Sequence, residues 1–261
     1  MNAATRSVTG VLNFAADRND GGRISTFTGE EAQNLLAVEV EIHDIRALGR
    51  KTSLAEEGFV IASHPVTAPK WDDKEWVDAV YVPSCLDLVK RLTGTARALN
   101  MYDPIKRTRR PDGTVAAAAS FIHWDQPREQ YVEAARKVAA AQGVDFERAA
   151  IFNVWKSMTP PPQDLPLTLA DRRSVLEADQ VMATSFGFYG EALHIKLAHS
   201  EQGARWYYVP DLAISESIVF LSADFDPAQP LGCPHSAFHA PGQENLVPRA
   251  SIEVRVLACF D

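Results

Sequence analysis

The residue types most able to do chemistry gather in two short stretches. The first is Phe121-Ile122-His123-Trp124-Asp125; the second is Cys233-Pro234-His235-Ser236-Ala237-Phe238-His239. In an extended strand, residues i and i+2 face the same way, so His123 and Asp125 can turn toward one ion. His-x-Asp alone is a common triplet and more often structural than metal-binding. An imidazole from the second stretch would complete two imidazoles and one carboxylate on one face of an octahedron. Three positions stay open in that arrangement, which is the pattern of non-haem iron(II) oxygenases. A co-substrate and dioxygen both need such positions. His235 and His239 share strand parity, so spacing alone leaves the choice between them open.

Downstream comes Pro248-Arg249-Ala250-Ser251-Ile252-Glu253-Val254-Arg255, with Arg249 fourteen residues after His235 and ten after His239. An Arg-x-Ser at that distance from the distal histidine is the pattern of 2-oxoglutarate oxygenases. Arg249 and Ser251 share a face; a guanidinium forks onto a carboxylate, and the Ser251 hydroxyl adds a further bond. The far carboxylate of 2-oxoglutarate suits this pair, with its keto-acid end on iron. Arg249, Ser251, Glu253 and Arg255 alternate with Ile252, Val254 and Val256, which predicts a polar barrel interior; a strand with one face in water is the alternative. Arg255 either pairs with Glu253 to orient Arg249 or binds the co-substrate itself. Tyr208, a phenol near the barrel mouth, is a further co-substrate candidate. Trp155, Trp206 and Tyr207 are expected mainly in the core. Asn153 shares a face with Trp155, so one of the two lines the substrate pocket. Cys233 reads as a small buried filler. His43, His64, His194 and His199 have no partner at ligand spacing and read as surface or satisfied core histidines.

The elements that must carry these residues are legible from pattern. Ala37–Ile42 alternates apolar and polar, as a strand does, and Gly58–Ile61 reads as another. Asp72–Leu92 has helical spacing, with Pro83 expected to split it into two helices. Gln130–Gln142 reads as a helix. Short strands follow at Ile151–Trp155, at His194–Leu197 and Arg205–Val209 on the two sides of a turn with Gly203, at Ser217–Ser222 and at Ser251–Cys259. Many short strands with Pro/Gly turns indicate a barrel or jelly roll. The chain is read as a single domain: a loose leading segment over 1–36, a helical and strand part over 37–110, and a jelly-roll core over 115–261. Apolar residues are 46% of the 261, enough for a sizeable core, and the net charge of −8 argues against a nucleic-acid partner. The one basic run, Lys106-Arg107-Thr108-Arg109-Arg110, is a solvated loop or an anion clamp. No apolar stretch is long enough to span a membrane, and no signal peptide is visible. Three scattered cysteines fit neither disulfide nor zinc spacing, so a reducing, cytoplasmic setting is expected.

Taken together, several pieces resemble the AsaB-type hydroxylase/desaturase family, also labelled cephalosporin 7α-methoxylase accessory-like, whose members are oxygenases of natural-product pathways. They are Val40-Glu41-Ile42-His43-Asp44-Ile45-Arg46, Gly58-Phe59-Val60 with His64-Pro65, His123-Trp124-Asp125-Gln126 and Asn153-Val154-Trp155-Lys156. Asp164-Leu165-Pro166-Leu167 with Asp171, Trp206-Tyr207-Tyr208, His235-Ser236-Ala237-Phe238 and Arg249 to Arg255 complete the set. The resemblance implies a mainly β fold with N-terminal helices, a double-stranded β-helix of the jelly-roll, cupin-like kind. It assigns the distal metal ligand to His235, and so implies Fe(II) on His123, Asp125 and His235, with 2-oxoglutarate and O2 as co-substrates. The expected reaction is oxidation of an unactivated C–H bond, by hydroxylation, desaturation, peroxidation or ring closure, in a small, carboxylate-bearing, amino-acid-derived or natural-product substrate. The chain departs from the family at Lys156, where relatives carry Arg, and at Ala223-Asp224-Phe225, where they often carry Tyr-Asp-Ser. Lys156 or the basic run, Arg107 above all, is the expected substrate anchor, beside Asn153 and Trp155. Two rivals remain: an iron oxygenase that does without 2-oxoglutarate, and a metal-binding accessory protein with no turnover.

Overall fold

The computed structural model describes residues 6–25, 34–108, 115–186, 190–239, 242 and 246–260. Within them, two curled sheets face each other. The first has nine strands, in the spatial order Ser7–Ala15, Leu35–Asp44, Trp206–Tyr208, Leu167–Ala170, His235–Ala237, His123–Trp124, Ala192–Leu197, Gln180–Phe186 and Arg23–Ser25. The second runs Phe59–Ser63, Glu216–Asp224, Arg148–Ser157, Ala250–Phe260, Ile105–Thr108 and Ala116–Ala117, and Arg97–Asn100 pairs with the far end of Ala250–Phe260. This is the mainly β jelly roll that the strand pattern predicts. Between the sheets, Phe59, Trp155, Ile218 and Phe220 meet Leu167, Leu169, Tyr207 and Cys233.

Alternation along Ala250–Phe260 sets the layers. Ile252, Val254 and Val256 leave the sandwich and pack on Val77, Tyr81, Cys85, Leu88 and Val89 of a helical segment. Arg249, Ser251, Glu253 and Arg255 take the other face, and all four are buried. The polar barrel interior is therefore real, and the alternative of a strand face in water does not hold.

The helical segment runs through Lys74–Trp76, Val77–Tyr81 and Val82–Thr93 without a break. Pro83 does not split it. A wide π-helical turn precedes the proline, which sits in the first turn of Val82–Thr93, where a missing N–H costs little. Gly94 ends the segment in the left-handed conformation at φ 75°. The second helix, Arg128–Ala141, buries Tyr131, Ala135 and Ala139 at four-residue spacing.

Two expectations are corrected. Ser7–Ala15 is no loose segment but a strand paired antiparallel along its length with Leu35–Asp44. Its Leu12 and Phe14 are buried, and the surrounding Asn, Gly and Thr hid this alternation from a compositional reading. His194–Leu197 and Arg205–Val209 do not pair across Gly203. Ala192–Leu197 lies between Gln180–Phe186 and His123–Trp124, whereas Trp206–Tyr208 lies between Leu167–Ala170 and Leu35–Asp44. Among the described residues, no helix is long and apolar enough to cross a membrane. All three cysteines are free and buried.

Candidate metal centre

His123–Trp124 lies mid-sheet between His235–Ala237 and Ala192–Leu197, and His235 is the register partner of His123. Strand pairing thus brings together two imidazoles from distant parts of the chain, with ring centroids 4.4 Å apart. One ligand atom each from His123, Asp125 and His235 lies within 4.8 Å of the others, and all three residues are buried. His239 is exposed, two residues beyond the end of the strand, and does not join them.

The imidazoles are preset for a metal. Nδ1 of His123 sits 2.9 Å from the Phe121 carbonyl oxygen, and Nδ1 of His235 sits 3.2 Å from that of Cys233. A carbonyl only accepts, so Nδ1 carries a proton and Nε2 is the nitrogen left to face an ion. Burial, and next the neighbouring His235, hold His123 well below the ordinary histidine range, in the neutral form that a metal requires.

Asp125 is held by three donors. Its Oδ1 accepts from Arg255 Nη2 at 2.6 Å; its Oδ2 accepts from Asn153 Nδ2 at 3.1 Å and, more loosely, from the Tyr131 hydroxyl at 3.4 Å. Burial pushes the carboxyl up, but Arg255 together with the neighbouring histidines outweighs it and holds Asp125 below the usual carboxylate range. Burial also works against the Arg255 charge, and Asp125 with its neighbours overcomes it. Arg255 further lies 3.2 Å from Glu253. Two imidazoles and one ionised carboxylate, buried and converging, are a donor set that fits Fe(II).

Arg249 is the second feature. It is 2% exposed, donates from Nη1 to the Leu165 carbonyl at 2.6 Å, and lies 5.2 Å from the centre of the Trp155 ring. Its Nε has no partner, and its guanidinium makes no ion pair among the described residues. Burial, then repulsion from Arg107, brings its pKa down to about 10. The charges of Asp164 and Glu253 offset this only in part, and a buried cation with no carboxylate paired to it among the described residues is costly unless an anion arrives. Ser251, two positions along, is buried beside it.

The other expected site residues divide. Asn153 and Trp155 both face inward; Asn153 contacts Asp125 and Trp155 lies beside the Arg249 guanidinium. Lys156 does not face the centre. Strand parity turns it to the helical layer, where Nζ donates to the backbone carbonyls of His64 at 2.8 Å and Glu216 at 3.0 Å. Tyr208 packs edge-on against Phe238 at 5.5 Å, in a different cluster from inward-facing Tyr207, and makes no contact with the metal ligands. Arg255 holds Asp125 rather than standing free for a co-substrate. Arg107 lines a cavity of about 330 Å³ together with Tyr102, Asp125, Gln126, His194 and Arg255, with Nη1 donating to Ala117 O at 3.1 Å. Within the rest of the basic run, Lys106 is hydrogen-bonded to the Trp71 carbonyl, and Arg109 and Arg110 lie outside the described residues. A larger cleft, about 620 Å³ and lined by Leu92, Arg148 and Phe260 among others, contains none of the ligands.

Sequence reasoning missed Tyr131 and His194. Tyr131 reaches Asp125 from a helix whose pattern only marked it as apolar. His194 lines the cavity with its ring 6.2 Å from that of His123 and its Nδ1 unpartnered. Only the pairing of Ala192–Leu197 with His123–Trp124 brings it there.

The chain is similar to several known proteins. The model of the oxidoreductase/YMDC permease-like domain family matches residues 12–259. The alpha-ketoglutarate-dependent dioxygenase phiK of a fungal species is 27% identical over 97% of this chain and 96% of its own. The Fe(II)/2-oxoglutarate-dependent dioxygenase nvfI of Aspergillus novofumigatus is 24% identical over 84% of this chain and 82% of its own. The hydroxylase/desaturase asaB of Aspergillus flavus is 27% identical over 44% of this chain and 56% of its own, which bears out the family resemblance. The solved structure of the iron and alpha-ketoglutarate-dependent endoperoxidase NvfI superposes with a TM-score of 0.81 at 23% identity, covering 97% of this chain and 98% of that one.

Proposed function

The chain belongs to the oxidoreductase/YMDC permease-like domain family, and from that premise and its site we propose an Fe(II)- and 2-oxoglutarate-dependent oxygenase. Its reaction is oxidation of an unactivated C–H bond in a small natural-product or amino-acid-derived substrate. One observation carries the reading: a buried His123–Asp125–His235 cluster lies in the same sandwich as the buried Arg249, which makes no ion pair among the described residues. The named dioxygenases and the endoperoxidase among the relatives support it.

Bound iron, with 2-oxoglutarate and dioxygen, supplies the oxidising power, and succinate and carbon dioxide leave as co-products. The residues of this chain do the rest. His123 and His235 present Nε2 because their Nδ1 protons are tied to backbone carbonyls. Arg249 takes the far carboxylate of 2-oxoglutarate, with the Ser251 hydroxyl beside it and Trp155 stacked on the guanidinium. Arg107 holds a carboxylate of the substrate in the cavity that opens beside Asp125. Arg249 also favours this reading over an iron oxygenase that draws electrons from its substrate alone. Such an enzyme has no use for a buried anion site separate from the cavity, and neither has an inert accessory protein.

The test is succinate release. Protein supplied with Fe(II), 2-oxoglutarate and O2 should form succinate, and His235→Ala should not. With a panel of free acids and their esters, wild type should prefer the acids and Arg107→Met should lose that preference. No succinate from the loaded wild-type protein would overturn the reading.

A further inference from the structure

The donors around Asp125 carry a consequence for how it can bind metal. An ionised carboxylate offers about four lone-pair directions, two on each oxygen. Asn153 Nδ2 and the Tyr131 hydroxyl occupy both directions of Oδ2, at 3.1 Å and 3.4 Å. Arg255 Nη2 takes one direction of Oδ1 at 2.6 Å. One lone pair is left, and it belongs to Oδ1, the oxygen 3.9 Å from His123 Nε2. The donors cannot easily move aside. Asn153 is fully buried in the middle of Arg148–Ser157, Tyr131 is fully buried on Arg128–Ala141, and Arg255 sits between Asp125 and Glu253.

From this arrangement we propose that Asn153, Tyr131 and Arg255 are positioning residues that restrict Asp125 to ligation through Oδ1 alone. A carboxylate chelating through both oxygens would take up one more coordination position. Two imidazoles and a one-oxygen carboxylate leave three, and a chelating 2-oxoglutarate with dioxygen needs all three. The proposal rests on the iron-site reading above and deepens it. It also explains why Asn153 is turned to the metal side rather than toward the substrate.

The experiment uses the full chain loaded with Mn(II), with Asp labelled by ¹³C at its side-chain carboxyl. Difference infrared spectra on metal addition report the gap between the antisymmetric and symmetric carboxylate stretches, which is wide for one-oxygen and narrow for two-oxygen ligation. Calorimetry on the same samples reports 2-oxoglutarate affinity. Wild type should show the wide gap. The double variant Asn153→Ala/Tyr131→Phe should show the narrow gap and bind 2-oxoglutarate at least tenfold more weakly, while still binding Mn(II). Tyr131→Phe alone should stay near wild type, since Asn153 still guards Oδ2. A narrow gap in wild type overturns the proposal even if the double variant does not fold, and so does a wide gap in a folded double variant. Failure of the wild-type protein to bind Mn(II) at all overturns the iron-site reading and this inference with it; metal binding with a narrow gap overturns this inference only.

Discussion

Replacing Arg249 with methionine separates a co-substrate anchor from a structural arginine, because the two roles predict opposite changes in stability. Arg249 is 2% exposed, with one carbonyl acceptor at 2.6 Å, the Trp155 ring 5.2 Å away and Nε unpartnered. A structural arginine in such a place would be tied to a carboxylate, and removing it would cost about 3–5 kcal/mol. Arg249 makes no such ion pair among the described residues, and burial drags its pKa to about 10. Methionine keeps the stem and the contact with Trp155 and removes the strained charge. Arg249→Met should therefore leave the metal-free protein as stable as wild type or up to about 2 kcal/mol more stable. The loss appears only with the ligand. Breaking a buried, charge-assisted carboxylate pair costs about 3–5 kcal/mol. At about 1.4 kcal/mol per tenfold, that is a fall in 2-oxoglutarate affinity of roughly a hundredfold to a few thousandfold. Denaturant titration with and without 2-oxoglutarate reads both quantities. Saturating 2-oxoglutarate should stabilise the wild-type, metal-loaded protein by mass action and leave Arg249→Met unmoved at the same concentration. A variant destabilised by 3 kcal/mol without ligand, or one whose 2-oxoglutarate response is unchanged, would refute the reasoning.

His123→Ala, Asp125→Ala and His235→Ala should each abolish tight divalent-metal binding by calorimetry, whereas His239→Ala, at an exposed position, should bind as wild type. Lys156→Met should leave the Michaelis constants for substrate and 2-oxoglutarate unchanged, yet lower stability by about 1–3 kcal/mol, because two buried carbonyls lose their donor; a raised substrate constant would contradict the placement of Lys156 in the helical layer. Burial, then repulsion from Lys156 and Arg91, lowers His64 to about 4, against about 6.5 in the unfolded chain. Between those values the unfolded state binds the extra proton, so His64 costs the fold nothing above pH 6.5 and up to about 3 kcal/mol as pH falls through 4. Unfolding free energies across pH 4–7 should fall less steeply in His64→Gln than in wild type, and parallel curves would remove His64 as a source of the acid sensitivity.

What the sequence determined by itself is what local periodicity and covalent spacing dictate. His123 and Asp125 share a strand face because i and i+2 must. For the same reason Ile252, Val254 and Val256 lie opposite Ser251, Glu253 and Arg255, and a jelly roll follows from many short alternating strands. Parity made Asn153 and Trp155 share a face; Lys156, expected beside them as a substrate anchor, lies on the other face, and only the packing showed which side was the inside. Tertiary structure decided everything that depends on which strand lies beside which. Spacing left His235 and His239 equal; the register of His235 against His123 buries the one, while the end of that strand exposes the other. Arg255 could orient Arg249 or bind co-substrate until the sandwich placed Asp125 2.6 Å from it. Tyr131 and His194 gave no signal, because a helix pattern marks only an apolar face and a lone histidine on a strand names no partner. Ser7–Ala15 read as loose for the same reason: a weak strand is stabilised by the partner it pairs with, and that partner is not written in its own residues.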